Sequence, residues 1–557
     1  MKKILLTVLF IGSCAAVNAQ GILGGKVTGN IQMDAQFSKQ DSTIGASDVP
    51  EKLLSNTYAN ILYTNGNFTS GVRFESYMNP MLGFDSRYKG AGIAHRFAAY
   101  RGDHYEVTVG NFYEQFGNGL VFRSYNEPNL GIDNAMDGLN LKLNPLSGIY
   151  VKGFIGKQRY FWNYGAGLTR GLDGEISINE TFKALEDAKT KMIFGGSFVS
   201  KYQEDEQQNI AIDGVNYRLN LPLNVGTWAA RFNLSHGKFA LQGEYAQKSQ
   251  DPNRVNEYIY KKGEALFLSG SYAQKGLGIN IQAKRIDNMS YKSERAMTGE
   301  MLNINYLPAL TKQHTYALLA MYPYATQVNG EMGIQADVAY TFQKNTLLGG
   351  KYGMDLKVNY SRSHSIDRQS IDENTPLNQS GTDGYTSDFF KVGDELYYED
   401  FNIELGRRFT KDLKASLTYG YITINPKTEG HTGGLLYNNI LIGDVTYKIN
   451  SKNVVRIETE WLKSSSKEDE SDRRSGDWIM LLGEYNFATR YFISVSDQYN
   501  YRGSKVPYYG VSVGYNYGSS RIQLTYGKQR EGILCIGGVC RAVPASNGLM
   551  VSLTTSF

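Results

Sequence analysis

Apolar and polar side chains alternate one by one along many stretches of this chain. From Trp228 the sequence reads WAARFNLS, which places Trp228 and Phe232 on one side and Arg231 and Asn233 on the other. After a turn at residues 236–237, KFALQGEYAQ repeats the pattern. A period of two residues is typical of β-strands with one apolar and one polar face.

The same alternation recurs through the chain and predicts about 24 strands, with boundaries good to about two to four residues. The predicted strands cover residues 22–37, 55–65, 67–77, 90–101, 104–113, 134–143, 148–158, 172–181, 190–202, 226–235, 238–248, 263–274, 277–288, 329–343, 347–363, 395–409, 413–424, 434–449, 453–464, 476–487, 490–502, 507–518, 520–530 and 546–557.

The connections between these strands alternate short and long. Short ones lie at 65–66, 102–103, 236–237, 275–276, 410–411, 451–452 and 519–520. Long ones cover 38–53, 113–133, 202–225, 289–328, 364–394 and 465–475. Outer-membrane barrels have short periplasmic turns and long external loops, and a sheet that spans lipid must close because lipid offers no hydrogen-bond partners. The sequence therefore predicts an all-β fold: one large, closed, antiparallel transmembrane β-barrel of about 22–24 strands, with no separate plug domain and both termini in the periplasm.

The N-terminus has the pattern of a secretory signal. Residues 1–19 combine Lys2 and Lys3, an apolar run and the small-residue site Val17-Asn18-Ala19, and they are too short to be a membrane-spanning helix. Cleavage after Ala19 would leave a mature chain of residues 20–557 that is a single barrel. A lipoprotein site at Cys14 is the alternative.

The composition fits a barrel and excludes other classes. The chain of 557 residues has 41 Tyr, 25 Phe and 60 Gly beside only 12 Pro, a net charge of +4 and 41% hydrophobic residues. The mean hydropathy of −0.38 suits strands with every second residue facing water. No apolar run after the signal reaches about 18 residues, which excludes transmembrane helices. Scattered basic residues give no sign of a nucleic-acid partner.

The last predicted strand, LMVSLTTSF, ends on Phe557. It resembles the C-terminal aromatic signal by which bacterial outer-membrane barrels are assembled. The expected partners are therefore outer-membrane lipid and the barrel-assembly machinery.

Charged residues occur at predicted inward positions on several strands. These charges have two interpretations: they line a path for a small solute, or they form a network of ion pairs that stiffens the barrel wall. With no separate plug domain, any plug must be a loop that folds into the lumen. The candidates for the lumen are Arg231, Glu244, Lys284, Arg456, Glu458 and Glu460, together with Arg73, Glu75, Asp355, Lys357, Asp444 and Lys448.

Two long connections are unusual. Residues 110–138 carry Glu114, Arg123, Glu127 and Asp133 in a segment rich in Gly and Asn. Such a loop can fold inward as a charged constriction, or it can pack externally on its neighbours. Residues 300–326 are apolar for an external loop, and an additional strand pair is the favoured interpretation, ahead of a plug or a surface for a protein partner.

Cys535 and Cys540 flank Gly537-Gly538, and this spacing allows a tight loop to close a disulfide in an oxidising compartment. A metal site would need further ligands, and none is adjacent. No enzyme activity, cofactor or metal is expected. The nearest approach to a catalytic set is His364 with Ser361, Ser363 and Asp367, and closeness in sequence alone is weak support.

Three stretches carry a family resemblance: residues 112–138, 303–327 and 535–549. They resemble an uncharacterised outer-membrane β-barrel family of Bacteroidota along nearly the whole mature chain. The resemblance implies fold and location and assigns no functional residue. The expected function is a pore or solute transporter, and the alternative is a non-conducting accessory barrel of an assembly or secretion complex.

Overall fold

The computed structural model describes residues 24–212, 214–466, 476–537 and 539–557. The predicted signal peptide, residues 1–19, lies outside the described residues. One antiparallel sheet of 24 strands dominates the structure. Its strands are β1 Lys26–Lys39, β2 Leu54–Asn65, β3 Phe68–Tyr77, β4 Gly90–Arg101, β5 Tyr105–Phe112, β6 Met136–Leu146, β7 Ile149–Tyr160, β8 Asn163–Ser177, β9 Thr190–Tyr202, β10 Asn224–His236, β11 Phe239–Lys248, β12 Gly263–Gln274, β13 Leu277–Asp287, β14 Gly330–Phe342, β15 Met354–Ile366, β16 Val392–Arg408, β17 Leu413–Ile424, β18 Leu436–Asn450, β19 Asn453–Ser466, β20 Trp478–Phe487, β21 Tyr491–Asn500, β22 Pro507–Tyr517, β23 Ser520–Gln529 and β24 Ser546–Ser556.

The sheet closes on itself. Strand β1 pairs with β2 and also with β24, in a register that runs from Asn30 opposite Ser556 to Lys39 opposite Asn547. Beyond the strand end, the amide of Phe557 donates to the Gly29 carbonyl at 2.9 Å, and the Gly29 amide donates back at 3.0 Å. Closure satisfies the backbone groups that a free edge would expose to lipid.

Side chains alternate across the wall as predicted. On β10 Trp228 faces outward and is 43% exposed, whereas Thr227, Ala229 and Arg231 face inward and are buried. Ile281, in the middle of β13, is 59% exposed on the outer face. A continuous apolar outer face on a closed sheet is the mark of a transmembrane barrel. Among the described residues, no helix is long and apolar enough to cross a membrane.

Short and long connections alternate along the chain and so lie at opposite ends of the barrel, called here the short-turn rim and the long-connection rim. Three connections depart from the pattern: residues 161–162 make a tight turn at the long-connection rim, and 178–189 and 343–353 are longer connections at the short-turn rim. Strand β8 also differs from its predicted range of 172–181, because it begins at Asn163 and gives way to the helix Ile178–Thr181.

The remaining elements are short. The 3₁₀-helices are Ser86–Tyr88, Lys183–Leu185, Arg254–Asn256, Leu319–Met321 and Pro426–Glu429. Small hairpins pair Gln115–Phe116 with Phe122–Arg123, Asn126–Glu127 with Ile132–Asp133, Asn209–Ile212 with Val215–Arg218, and Gly532–Ile536 with Val539–Val543.

Three connections fold into the barrel: residues 113–135, 288–329 and 530–545, together called the loop plug. The 288–329 segment contacts Gln158 on β7, Lys284 on β13, Asn402 on β16 and Glu460 on β19. A segment that touches strands this far apart on a closed ring lies inside the ring. The expectation of an additional strand pair at 300–326 is wrong, because its apolar side chains pack inside the lumen instead of forming strands.

Candidate functional site

The loop plug packs against the inner wall through two apolar clusters. In the first, Phe116 and Phe122 of residues 113–135 contact Phe154 of β7, with the rings of Phe122 and Phe154 stacked at 4.1 Å between centroids. Inward-facing Val225 and Ala229 of β10 belong to the same cluster. In an open lumen these wall positions would be in contact with water, but here they are in contact with the plug.

The second apolar cluster fixes the other side of the plug. Leu318, Tyr322 and Tyr324 pack against Tyr398 of β16 and Trp478 of β20, and all five side chains are buried. The rings of Tyr324 and Tyr398 stack at 5.2 Å. The plug therefore bridges the two sides of the barrel through buried hydrophobic contacts, which are the largest favourable contribution to such packing.

Asp133, one of the predicted constriction residues, lies in a buried cluster of four charges. It forms ion pairs with Arg73 of β3 and with Arg159 of β7, the latter at 2.5 Å. Glu75 completes the set at 2.7 Å from each arginine. Burial alone would raise the pKa of the Asp133 carboxyl, but Arg159 and Arg73 hold it below its usual range. The cluster ties the plug to the wall.

Glu114 anchors the start of the same segment. Its carboxylate pairs with Lys142 of β6 at 2.7 Å and with Lys152 of β7 at 3.0 Å. Arg123 instead stacks its guanidinium over Tyr125 and Tyr306, at 4.7 and 4.1 Å from the ring centroids.

Glu127 accepts a hydrogen bond from the amide of Asn129 at 3.3 Å. The loop folds inward as one of the two sequence interpretations has it. Its four charges lie in four separate surroundings, so they do not form one ring around an opening.

The inward charges of β10, β11 and β13 divide between wall and plug. Arg231 pairs with Asp173 and Glu175 of β8 at 2.8 and 2.9 Å, which is a wall-to-wall contact. Glu244 accepts two bonds from Asn118 of the plug, at 2.6 Å from its amide and 2.8 Å from its side chain. Lys284 pairs with Glu331 of β14 and donates to the carbonyl of Pro308, both at 2.6 Å.

The three predicted residues of β19, Arg456, Glu458 and Glu460, likewise divide between contacts with the wall and contacts with the plug. Arg456 pairs with Asp444 of β18 at 2.7 Å and with Glu458. Glu460 accepts hydrogen bonds from the backbone amides of Ala317 and Leu318 at 3.0 and 2.8 Å. Glu460 is therefore a wall residue that holds the plug.

The predicted disulfide between Cys535 and Cys540 is present. It closes the hairpin that follows β23, and the hairpin rests on the plug through a hydrogen bond from the Tyr306 hydroxyl to the Gly537 carbonyl at 2.6 Å. The disulfide hairpin is thus part of the plug.

Sequence reasoning missed two buried polar contacts. His314 of the plug lies 2.7 Å from the carboxylate of Asp400 on β16, and Lys201 of β9 lies 2.8 Å from Asp251. Lys201 and Asp400 lie at strand positions whose side chains point into the lumen, and this alternation could have identified them. Within the described ranges, no group of three or more His, Cys, Asp or Glu side chains is placed to hold a metal ion.

The plug occupies only one half of the lumen. Near the short-turn rim, Lys357 of β15 and Glu404 of β16 pair at 3.0 Å, yet their side chains remain 55% and 24% exposed. Further along the same inward face of β15, Ser361 and Ser363 are fully buried. The interior is therefore wet at the short-turn rim and filled at the long-connection rim.

A closed ring of 24 strands, an apolar outer face and loops folded into the lumen define a loop-plugged transmembrane β-barrel. The chain belongs to a family of unknown function, DUF6029, whose model matches residues 1–557. No curated protein matches it.

Solved structures with a similar architecture are distant. The siderophore receptor PirA from Pseudomonas aeruginosa is 11% identical, with 95% of this chain and 80% of that chain covered and a TM-score of 0.40. The translocation pore of the P pilus usher PapC is 9% identical, with 95% and 99% covered and a TM-score of 0.39. These likenesses are too weak to carry a functional argument.

Proposed function

We propose that this protein is an outer-membrane barrel for solute transport that its own loops close at rest. The observation that carries the proposal is the division of the lumen. The half at the long-connection rim is filled by the loop plug, whereas charged side chains such as Lys357 and Glu404 line a hydrated interior at the other end. A hydrated, charged interior is what a path for a polar solute through a barrel requires.

The orientation follows from the general rule that outer-membrane barrels keep short turns in the periplasm and long loops outside. The vestibule then opens to the periplasm, the plug faces the exterior and both termini are periplasmic. Export by the predicted signal peptide, assembly through the C-terminal strand ending at Phe557 and residence in the outer membrane of a member of the Bacteroidota complete the proposal.

Opening requires the plug to move. Glu244 and Glu460 hold it with hydrogen bonds to loop amides, and each such bond contributes about 1 kcal/mol. Displacement of residues 309–324 would also expose the second apolar cluster to water, which is unfavourable. The closed state is therefore the more stable one unless a ligand or partner displaces the plug.

Planar-bilayer recordings test the proposal. We expect the wild-type protein to be closed, and a variant with residues 309–324 replaced by a Gly/Ser linker to show discrete conductance. The matched control replaces residues 209–218, an exposed hairpin outside the plug, with a similar linker and should stay closed. A folded 309–324 variant without conductance would contradict the transport proposal.

A second candidate function is a non-conducting accessory barrel of an assembly or secretion complex. The observation that favours it is an apolar protrusion at the short-turn rim, where Leu347 is 97% and Leu348 is 51% exposed in the 343–353 connection. Apolar side chains so exposed are suited to contact with another protein. Co-purification of a defined partner that is lost in a Leu347→Ser, Leu348→Ser variant, from a barrel silent in bilayers, would favour this function.

A further inference from the structure

A cavity of about 210 Å³ lies at the long-connection rim. It is bounded by the connection after β3, by the loop plug and by the turn between β7 and β8. Its lining includes Phe84, Tyr88, Leu130, Ile132 and Phe161, which are apolar or aromatic. Five charged side chains, Asp85, Asp133, Arg159, Glu300 and Arg541, also line the cavity. Small-molecule sites typically combine an apolar lining with convergent polar groups of this kind.

Arg541 enters this cavity from the disulfide hairpin. Its guanidinium lies over the ring of Phe84, 4.3 Å from the centroid, and Nη1 donates to the carbonyl of Leu82 at 3.2 Å. Its Nε is buried and has no hydrogen-bond partner. Burial lowers the pKa of Arg541, and no carboxylate of the described residues forms an ion pair that would offset this. Arg541 is therefore a partly buried cation without an anion.

The carboxylates that line the cavity are already matched. Asp133 pairs with Arg73 and Arg159, and Asp85 pairs with Arg87 at 2.6 Å. The remaining acid, Glu300, accepts a hydrogen bond from the side chain of Asn303 at 2.7 Å, and Asn303 in turn accepts one from Lys292, whose positive charge acts on the Glu300 carboxyl. The unbalanced charge in the cavity is therefore the positive charge of Arg541.

We propose that this cavity is a binding site for a small organic anion: a carboxylate on a flat, apolar or aromatic body. The carboxylate accepts a hydrogen bond from the second terminal nitrogen of Arg541, and the body lies among Phe84, Tyr88 and Phe161. An arginine that stacks on an aromatic ring can still donate from the edge of its guanidinium plane to an anion. The assignment goes beyond the proposed function, since binding needs no conduction.

The scaffold holds Arg541 in place from two sides. The Cys535–Cys540 disulfide fixes the hairpin that carries it. On the opposite side Gly83 has a positive φ of 81°, and a Cβ there would lie 2.5 Å from Nη1 of Arg541. Glycine at this position therefore lets the guanidinium reach the Leu82 carbonyl.

Equilibrium dialysis of radiolabelled benzoate against the detergent-solubilised mature barrel tests the site. We expect saturable binding of about one equivalent, which unlabelled benzoate displaces and the neutral isostere benzamide does not. Arg541→Gln should weaken binding by at least about tenfold, because a charged hydrogen-bonded pair is lost. Arg218→Gln, which removes an exposed arginine of the 209–218 hairpin, is the matched control and should bind as the wild type does.

Heat-modifiable gel mobility establishes that each variant is a folded barrel. Arg541→Lys keeps the charge but loses the flat guanidinium that stacks on Phe84, so it should bind more weakly than wild type and more tightly than Arg541→Gln. No saturable benzoate binding by the folded wild type, equal displacement by benzamide, or unchanged affinity in folded Arg541→Gln would each overturn the assignment. Because dialysis requires no conductance, these outcomes are independent of the bilayer recordings.

Discussion

Inward-facing charged residues in this barrel have two roles. The alternation of inward and outward positions along a strand does not distinguish between them. Arg231 pairs with Asp173 and Glu175 of the wall, whereas Glu460 accepts hydrogen bonds from plug amides. Both sit at inward positions, and the sequence predicted both as lumen residues. Their roles differ because Arg231 faces charged residues of a neighbouring strand, whereas Glu460 faces a loop that folds into the lumen. Which of the two a residue meets depends on contacts between segments that are distant in sequence.

Glu460 provides a test at this scale. In Glu460→Ala the amides of Ala317 and Leu318 lose their acceptor, which should destabilise the local plug structure by about 2 kcal/mol. Amide hydrogen exchange in residues 316–324 should then be about 30-fold faster, since 1.4 kcal/mol corresponds to a factor of ten. Glu404→Ala, which removes a partly exposed wall carboxylate, should leave this exchange unchanged. Equal exchange in both variants would show that Glu460 does not hold the plug.

At the scale of elements, most strands followed from the sequence because strand alternation and turn chemistry are local. The predicted ranges 190–202, 263–274 and 413–424 coincide with β9, β12 and β17. Strand β8 was predicted too late in the chain because Gly165 and Gly167 remove the inward side chains that would show its period. A Cβ at Gly167 would lie 2.1 Å from the Ser293 carbonyl oxygen of the plug.

The loop plug could be predicted only in part. A folded-in loop was the one kind of plug that the sequence allowed, and residues 110–138 were identified as able to fold inward. Residues 300–326 looked like strands because an apolar run of that length predicts burial without naming the surface that buries it. The inward apolar positions that receive it, such as Val225 and Ile422, lie on strands far apart in the sequence.

Gly167 provides a test of this close approach between an element and the plug. Gly167→Ala should destabilise the barrel by about 1–3 kcal/mol, because neither the strand nor the Ser293 backbone can yield without moving the plug. Gly278→Ala on β13 is the matched control, since a Cβ there meets nothing within 4 Å. Guanidinium unfolding in lipid vesicles measures both, and a midpoint for Gly167→Ala no lower than that of Gly278→Ala would rule out the tight contact.

At the scale of the whole molecule, the barrel separates two environments across one layer of backbone. Ile281 faces lipid in the middle of β13, and its neighbour Gln282 faces the lumen. A cation on the lipid face must give up hydration, whereas one in the lumen finds water or polar partners.

Two adjacent substitutions therefore test the membrane topology as a whole. Ile281→Arg should lower the free energy of unfolding by about 2–4 kcal/mol, the range for an arginine near the bilayer midplane. Gln282→Arg introduces the same side chain one residue further and should change it by less than about 1 kcal/mol. Reversible unfolding in vesicles gives both values. A larger loss for Gln282→Arg than for Ile281→Arg would mean that the two faces are exchanged, and the loops assigned to the lumen would then lie outside the barrel.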